Sequence, residues 1–145
     1  MLIINYYSTS YIIKCNEFIE FLQDQFILLY AIIMYCSPNY GSVLIIRELM
    51  HPFVHLNQNQ SLSEASIPQG STTYMHKHLN SEEIYHILSG SGIMTLGDDQ
   101  FKIKERDTVC IPAGTYHNVK NTGAALLKIL CACAPPYSHS DTELL

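Results

Sequence analysis

Three imidazoles and one carboxylate, His76, His78, Glu83 and His117, are the residues of this chain whose types and spacing could do chemistry. Nitrogen donors joined by one carboxylate oxygen suit divalent iron, manganese, cobalt, nickel, copper or zinc, so the chemistry they point to is that of a transition-metal site. His76 and His78 stand two residues apart, and on a strand both would point to one face. Glu83 follows a short turn of Leu79, Asn80 and Ser81 and opens the run Glu83–Leu88. A strand there that pairs back on the first would deliver its carboxylate to the same face. An isolated His-x-His is most often a surface pair without consequence; the punctuation around this one argues otherwise.

The elements that must position these groups are short. From Ser42 onward the chain is a succession of β-branched and apolar runs: Val43–Ile46, Ala65–Ile67, Ile84–Leu88, Ile93–Leu96, Phe101–Ile103, Thr108–Ile111 and Ala125–Cys133. Between them lie turn residues, Pro68-Gln69-Gly70, Gly90-Ser91-Gly92, Pro112-Ala113-Gly114 and Asn121-Thr122-Gly123. Gly97-Asp98-Asp99 between two alternating runs is a hairpin signal. Short strands at steady spacing imply an all-β antiparallel sandwich or barrel. A small barrel has room inside for one small ligand.

Composition bounds the function. The 145 residues, 48% of them hydrophobic, can bury one core, so one folded domain is expected. A formal net charge of −5 with 14% charged residues offers no basic face to a phosphate backbone, which argues against nucleic acid as a partner. The odd number of cysteines, five, lacks the spacing of a disulfide framework and points to reduced thiols and a cytoplasmic setting. Cys131 and Cys133 share one face of a strand and read as small buried apolar residues.

Residues 1–40 differ in character, being rich in Tyr, Ile and Phe, with Phe26–Cys36 an unbroken apolar run of eleven. A membrane-spanning helix needs about 20 apolar residues, and Glu17, Glu20 and Asp24 lie just upstream, so the run is too short to span. A signal peptide is also disfavoured, since the leader has one lysine, Lys14, and no charged n-region. Three readings stand: a helix packed on the barrel or on a second subunit, a poorly ordered or misassigned start upstream of Met34, and a weakly membrane-associated helix. The expected division is an N-terminal extension, 1–40, and a barrel domain, 41–145.

The punctuation resembles that of the cupin family. The family's first motif runs glycine, five residues, His-x-His, three or four residues, glutamate, six residues, glycine. Gly70, His76, His78, Glu83 and Gly90 fill every specified position. The second motif runs glycine, five residues, Pro-x-Gly, two residues, histidine, three residues, asparagine. Pro112, Gly114, His117 and Asn121 match it, and only the leading glycine is missing, replaced by Arg106. If that position needs positive φ, Arg106 carries backbone strain. The likeness covers about 100 residues, 41–145, and is similar to small single-domain cupins of the sugar-phosphate-isomerase-like (mannose-6-phosphate isomerase-like) and oxalate-decarboxylase-like branches.

The resemblance implies a double-stranded β-helix, or jelly roll, with His76, His78, Glu83 and His117 as metal ligands. Four ligands on an octahedral ion would leave two positions open, as a catalytic metal requires. A small oxygen-rich ligand, dioxygen or water could bind there and be isomerised, decarboxylated or oxidised. Alternation makes Tyr74, on the His76 face, and Tyr85, on the Glu83 face, candidate interior residues beside the metal, with Asn121 closing the second motif. Glu82 should face solvent and His86 should face away from Glu83. His51, His55, His86 and His139 match no motif and read as surface or packing histidines. No carboxylate besides the ligand, and no lysine, is placed inward by the pattern, which favours Lewis-acid or redox chemistry over strong proton abstraction. Two functions remain open: a metal-dependent enzyme acting on a small carboxylic acid or sugar derivative, and a non-catalytic sensing or storage module with the same metal site. A homodimer formed through sheet edges is expected.

Overall fold

A computed structural model describes residues 32–36 and 43–145. Its strands are β1 (Ile32–Cys36), β2 (Val43–Met50), β3 (Ser61–Ile67), β4 (His76–His78), β5 (Glu82–Ser89), β6 (Ser91–Leu96), β7 (Asp99–Lys104), β8 (Thr108–Ile111), β9 (His117–Asn121), β10 (Leu127–Ala134) and β11 (Thr142–Leu144). One helical turn, α1 (Pro52–His55), follows β2, with the His51 imidazole capping it by accepting from Phe53 N. All the strand pairings are antiparallel. They form a six-stranded sheet in the order β1-β2-β3-β10-β5-β8 and a five-stranded sheet in the order β11-β4-β9-β6-β7. This is the all-β jelly roll the sequence implied.

The strand boundaries follow local chemistry. Gly97, at φ 58, turns the β6–β7 hairpin, in which Leu96 pairs with Asp99. Arg106 does stand where positive φ is needed, at φ 74, and a side chain there costs roughly 1–2 kcal/mol that glycine would avoid. Its amide is nevertheless held by Ile87 O at 2.9 Å, which fixes the turn before β8.

Period-2 alternation fills the space between the sheets. β10 turns Leu127, Ile129, Cys131 and Cys133 inward, and β5 turns Glu83, Tyr85 and Ile87 inward, while Glu82 and Ile84 are exposed and His86 half-buried on the other face. Ile67, Met94, Ile103, Ile111 and Val119, each 2% exposed or less, complete the core. Pairing registers arrange the inner face of the larger sheet in rows. Ser61, Cys133 and Glu83 lie abreast at one end, then Ser63, Cys131 and Tyr85, then Ala65, Ile129 and Ile87. Polarity therefore falls along the interior, and the site sits at the polar end.

Two expectations need revision. The helix considered for the apolar run Phe26–Cys36 does not extend over Ile32–Cys36. That stretch is an edge strand paired with β2 from Ile32↔Arg47 to Cys36↔Val43, and its β-branched residues suit a pleated partner. The remainder of the 1–40 extension lies outside the described residues. Nor does the strand carrying Glu83 pair back on the His76–His78 strand: β4 pairs with β11 and β9, whereas β5 pairs with β10 and β8. The Leu79-Asn80-Ser81 turn carries the chain from one sheet to the other. Asp141 pins that crossing: its carboxylate accepts from Asn80 N and Ser81 N, both at 3.0 Å, and its carbonyl accepts from Leu79 N at 2.8 Å.

Candidate metal centre

His76 and His78 come from β4, His117 from β9 opposite His76, and Glu83 from β5 across the interior. One ligand atom from each lies within 4.8 Å of every other. Glu83 Oε2 is 3.3 Å from His78 Nε2 and 3.2 Å from His117 Nε2. His78, Glu83 and His117 are buried and His76 is half-buried at the edge of the cluster. The four residues read from the motif spacing are thus brought together.

The imidazoles are oriented by contacts on their far nitrogens. His76 Nδ1 lies 2.9 Å from Tyr74 O, and His117 Nδ1 lies 3.0 Å from Thr115 O. A carbonyl can only accept, so each Nδ1 carries the proton. His78 Nδ1 lies 3.1 Å from Thr142 Oγ1, whose own proton is donated to Ser138 O at 3.0 Å, so here too the imidazole donates. In the neutral rings Nε2 therefore carries the lone pair, and those of His78 and His117 face Glu83. Outer contacts of this kind fix tautomer and ring orientation at metal centres.

Charge follows the same geometry. Burial, followed by the neighbouring His117, lowers the His76 pKa from 6.5 to about 4, so this ring is neutral at ordinary pH. Burial acts to raise the Glu83 pKa, yet the facing His117 and His78 outweigh it and hold the carboxyl at about 2, ionised. Burial and the Glu83 charge push the Tyr85 phenol and the Cys133 thiol well up, so both keep their protons. Cys133 lies directly across the β10–β5 pairing from Glu83, and its Sγ donates to Oε1 at 3.4 Å, leaving Oε2 to face the histidines.

In the neutral rings the lone pairs on His78 and His117 Nε2 face the buried carboxylate, a repulsive pairing that a proton or a metal cation between them relieves. Glu83 Oε2 and His117 Nε2 are both buried without a hydrogen-bond partner, a costly arrangement for two polar atoms. Two donors each about 2.1 Å from one first-row ion lie roughly 3.0–3.4 Å apart, which spans the observed 3.2 and 3.3 Å separations. The donor set, its tautomers and its spacing all fit a divalent transition metal.

His76, His78 and Glu83 of the cluster line one end of a cavity of about 270 Å³ that runs between the sheets toward β2. Tyr74 and Tyr85 line it as their alternation implied; Tyr85 is buried, with its ring 5.7 Å from that of His117. Asn121 does not reach the cluster. It is fully buried and ties backbone together, donating from Nδ2 to Ile67 O and Ala125 O, both at 2.8 Å, and accepting from Gly123 N. Its place in the motif is explained by that turn. Glu82 is exposed, and the His86 ring contacts Thr108 on the outer side of β5. His139 lines the cavity and was not singled out by any motif.

Sequence reasoning missed Thr142, Cys133, Tyr137, whose ring meets His78 edge-on at 5.7 Å, and Glu48, a carboxylate besides the ligand on the cavity wall. Glu48 alternates with Arg47 along β2, which was a usable signal once β2 was known to face the cavity. Thr142 and Tyr137 carried none.

The comparisons with known proteins agree with this geometry. A domain model described as the cupin domain matches residues 63–133, which contain all four clustered residues. An uncharacterised protein of Methanocaldococcus jannaschii is 54% identical over 101 residues, spanning 70% of this chain and 81% of the relative. An oxalate-binding protein of Thermotoga maritima is 32% identical over 87 residues, spanning 60% and 68% respectively. The crystal structure of a protein described as a predicted oxalate decarboxylase, also from Thermotoga maritima, superposes with a TM-score of 0.62 at 26% identity, covering 72% of this chain and 93% of that one. Motif, fold, metal-capable cluster and relatives converge, and the chain belongs to the cupin family.

Proposed function

We propose that this protein is a metal-dependent enzyme that takes a small carboxylic acid, or a sugar derivative presenting similar oxygens, at a centre built from His76, His78, Glu83 and His117. The observation that carries the reading is the convergence of three imidazoles and one ionised carboxylate within 4.8 Å of one another beside a cavity between the sheets. When bound, a divalent ion polarises a coordinated oxygen or acidifies a bound water. The chain's own residues do the rest. Tyr74 O, Thr142 Oγ1 and Thr115 O hold the imidazoles in register, Cys133 fixes the carboxylate, and the surrounding apolar strands exclude bulk water. Iron, manganese, cobalt, nickel, copper and zinc are all compatible with this donor set.

A second reading, a sensing or storage module that holds a ligand without transforming it, draws support from the small number of proton-transfer groups at the wall. Tyr85 is kept protonated, and Glu48 is the one carboxylate besides the ligand among the described lining residues. The Thermotoga relative is likewise described by binding. Incubating metal-loaded protein with a panel of small acids and sugar phosphates, with mass spectrometric detection of products, separates the two. Turnover that vanishes on metal removal supports the enzyme; tight metal-dependent binding with no product supports the module.

The wider setting belongs to the same proposal. The net charge of −5 argues against nucleic acid, and the odd cysteine count supports a reducing, cytoplasmic site. Among the described residues no helix is long and apolar enough to cross a membrane. Among the described residues the edges at β8 and β7 are unpaired and offer the surfaces for a homodimer, which light scattering would detect.

A further inference from the structure

Resting on the metal-centre reading above, we infer that the ligand is a monocarboxylic acid with an apolar body, aliphatic or aromatic, and not a diacid or a sugar phosphate. The interior is graded. Beyond the row that carries Glu83 and the next, Ser63, Cys131 and Tyr85, the cavity wall is mostly apolar: Ala65, Ile67 and Ile129 on the larger sheet, Val119 on the facing sheet, and Leu44 and Ile46 on β2. A volume of about 270 Å³ corresponds to roughly nine waters at ~30 Å³ each, far more than a two-carbon acid would fill. The excess space is apolar.

Charge narrows the choice further. The chain has eight Lys and Arg residues, and none of those in the described part, all but Lys14, lines the cavity. Arg47 and Lys128 are drawn to Glu64, and Lys77 to Glu143. The wall instead carries a second carboxylate, Glu48. A divalent ion offset by Glu83 leaves one net positive charge. One carboxylate cancels it, whereas a dianion would leave an excess negative charge next to apolar side chains, an expensive state. A phosphate-bearing sugar would also call for lysine or arginine donors, and among the described lining residues the one group outside the metal cluster that can carry positive charge is His139.

The test is calorimetric titration of the full chain loaded with Co²⁺, using acetate, butanoate, isovalerate and benzoate beside oxalate and a hexose phosphate. Affinity should climb about fourfold for each CH₂ added from acetate to isovalerate. Isovalerate or benzoate should bind at least about tenfold tighter than oxalate. Ile46→Arg, which sets a cation on the half-buried wall, should shift that ratio at least about tenfold toward oxalate. A flat series, no binding by the monoacids, or oxalate or the sugar phosphate binding as tightly as isovalerate on the wild-type protein would overturn the inference while leaving the metal centre intact. Failure of the wild-type chain to take up Co²⁺ would overturn the metal-centre proposal and this inference with it.

Discussion

Replacing Thr142 by valine keeps the shape of the side chain and deletes the acceptor of His78 Nδ1. In the folded protein Thr142 Oγ1 both accepts from His78 at 3.1 Å and donates to Ser138 O at 3.0 Å, so the substitution leaves a buried imidazole N–H without its partner, while Ser138 O keeps its bond from Asp141 N at 3.1 Å. A buried donor stranded in this way costs about 1–3 kcal/mol, which should appear as lowered stability of the metal-free protein. The larger effect is on the metal. With Nδ1 unrestrained, His78 is free to adopt the other tautomer or rotate, and loss of such an orienting contact typically lowers metal affinity by about 10–100-fold. Thr142→Ser, which restores the hydroxyl, should recover most of both losses. Competition against a chromogenic chelator gives the affinity, and urea titration of the metal-free protein gives the stability. A valine variant that binds metal as tightly as wild type would refute the argument that β11 positions the centre.

The two adjacent glutamates should separate cleanly: Glu83→Gln, which removes the buried negative charge, should lower metal affinity by more than about 100-fold, and Glu82→Gln, at an exposed position, by less than about twofold in the same competition assay. Acid should weaken the metal-free fold through His76, whose pKa is lowered from 6.5 to about 4. The unfolded chain then takes up the proton first, so the contribution is full above pH 6.5 and is lost as pH falls toward 4, by roughly 2–3 kcal/mol. Urea midpoints measured across that window should show the loss for wild type and a flatter profile for His76→Phe; equal slopes would exclude His76 as the cause. A chain starting at Gly41 should fold and bind metal with wild-type stoichiometry, since all four cluster residues lie downstream, but it lacks β1 and so bares the β2 edge. Light scattering should show added self-association, and loss of metal from the truncated chain would place the domain boundary elsewhere.

The parts of the fold that were legible in the sequence are those governed by local pattern. Alternating runs separated by glycine and proline turns gave the strands, and the Gly97 hairpin formed where its turn residues required. The metal cluster was legible because its four members are tied to short motifs whose spacing survives folding. What escaped is non-local. The sheet to which the Glu83 strand belongs depends on pairing with β10, more than 40 residues downstream, and nothing in the Leu79–Ser81 turn distinguishes a hairpin from a crossing between sheets. Thr142 reaches His78 across a separation of 64 residues and Cys133 reaches Glu83 across 50, through registers that exist only in the assembled barrel. Asn121 was grouped with the site because it ends a motif, but a buried amide satisfies backbone as readily as it serves a ligand, and pattern alone does not separate the two.

The central claim, that this quartet is a metal centre, is tested most directly by metal content. Elemental analysis of the purified chain beside His76→Ala with His78→Ala, both confirmed folded by circular dichroism, should find close to one divalent transition metal per wild-type chain and almost none in the double variant, since the apolar core lies away from β4. Near-stoichiometric metal in the double variant, or a wild-type chain that takes up no transition metal when supplied with it, would contradict the account.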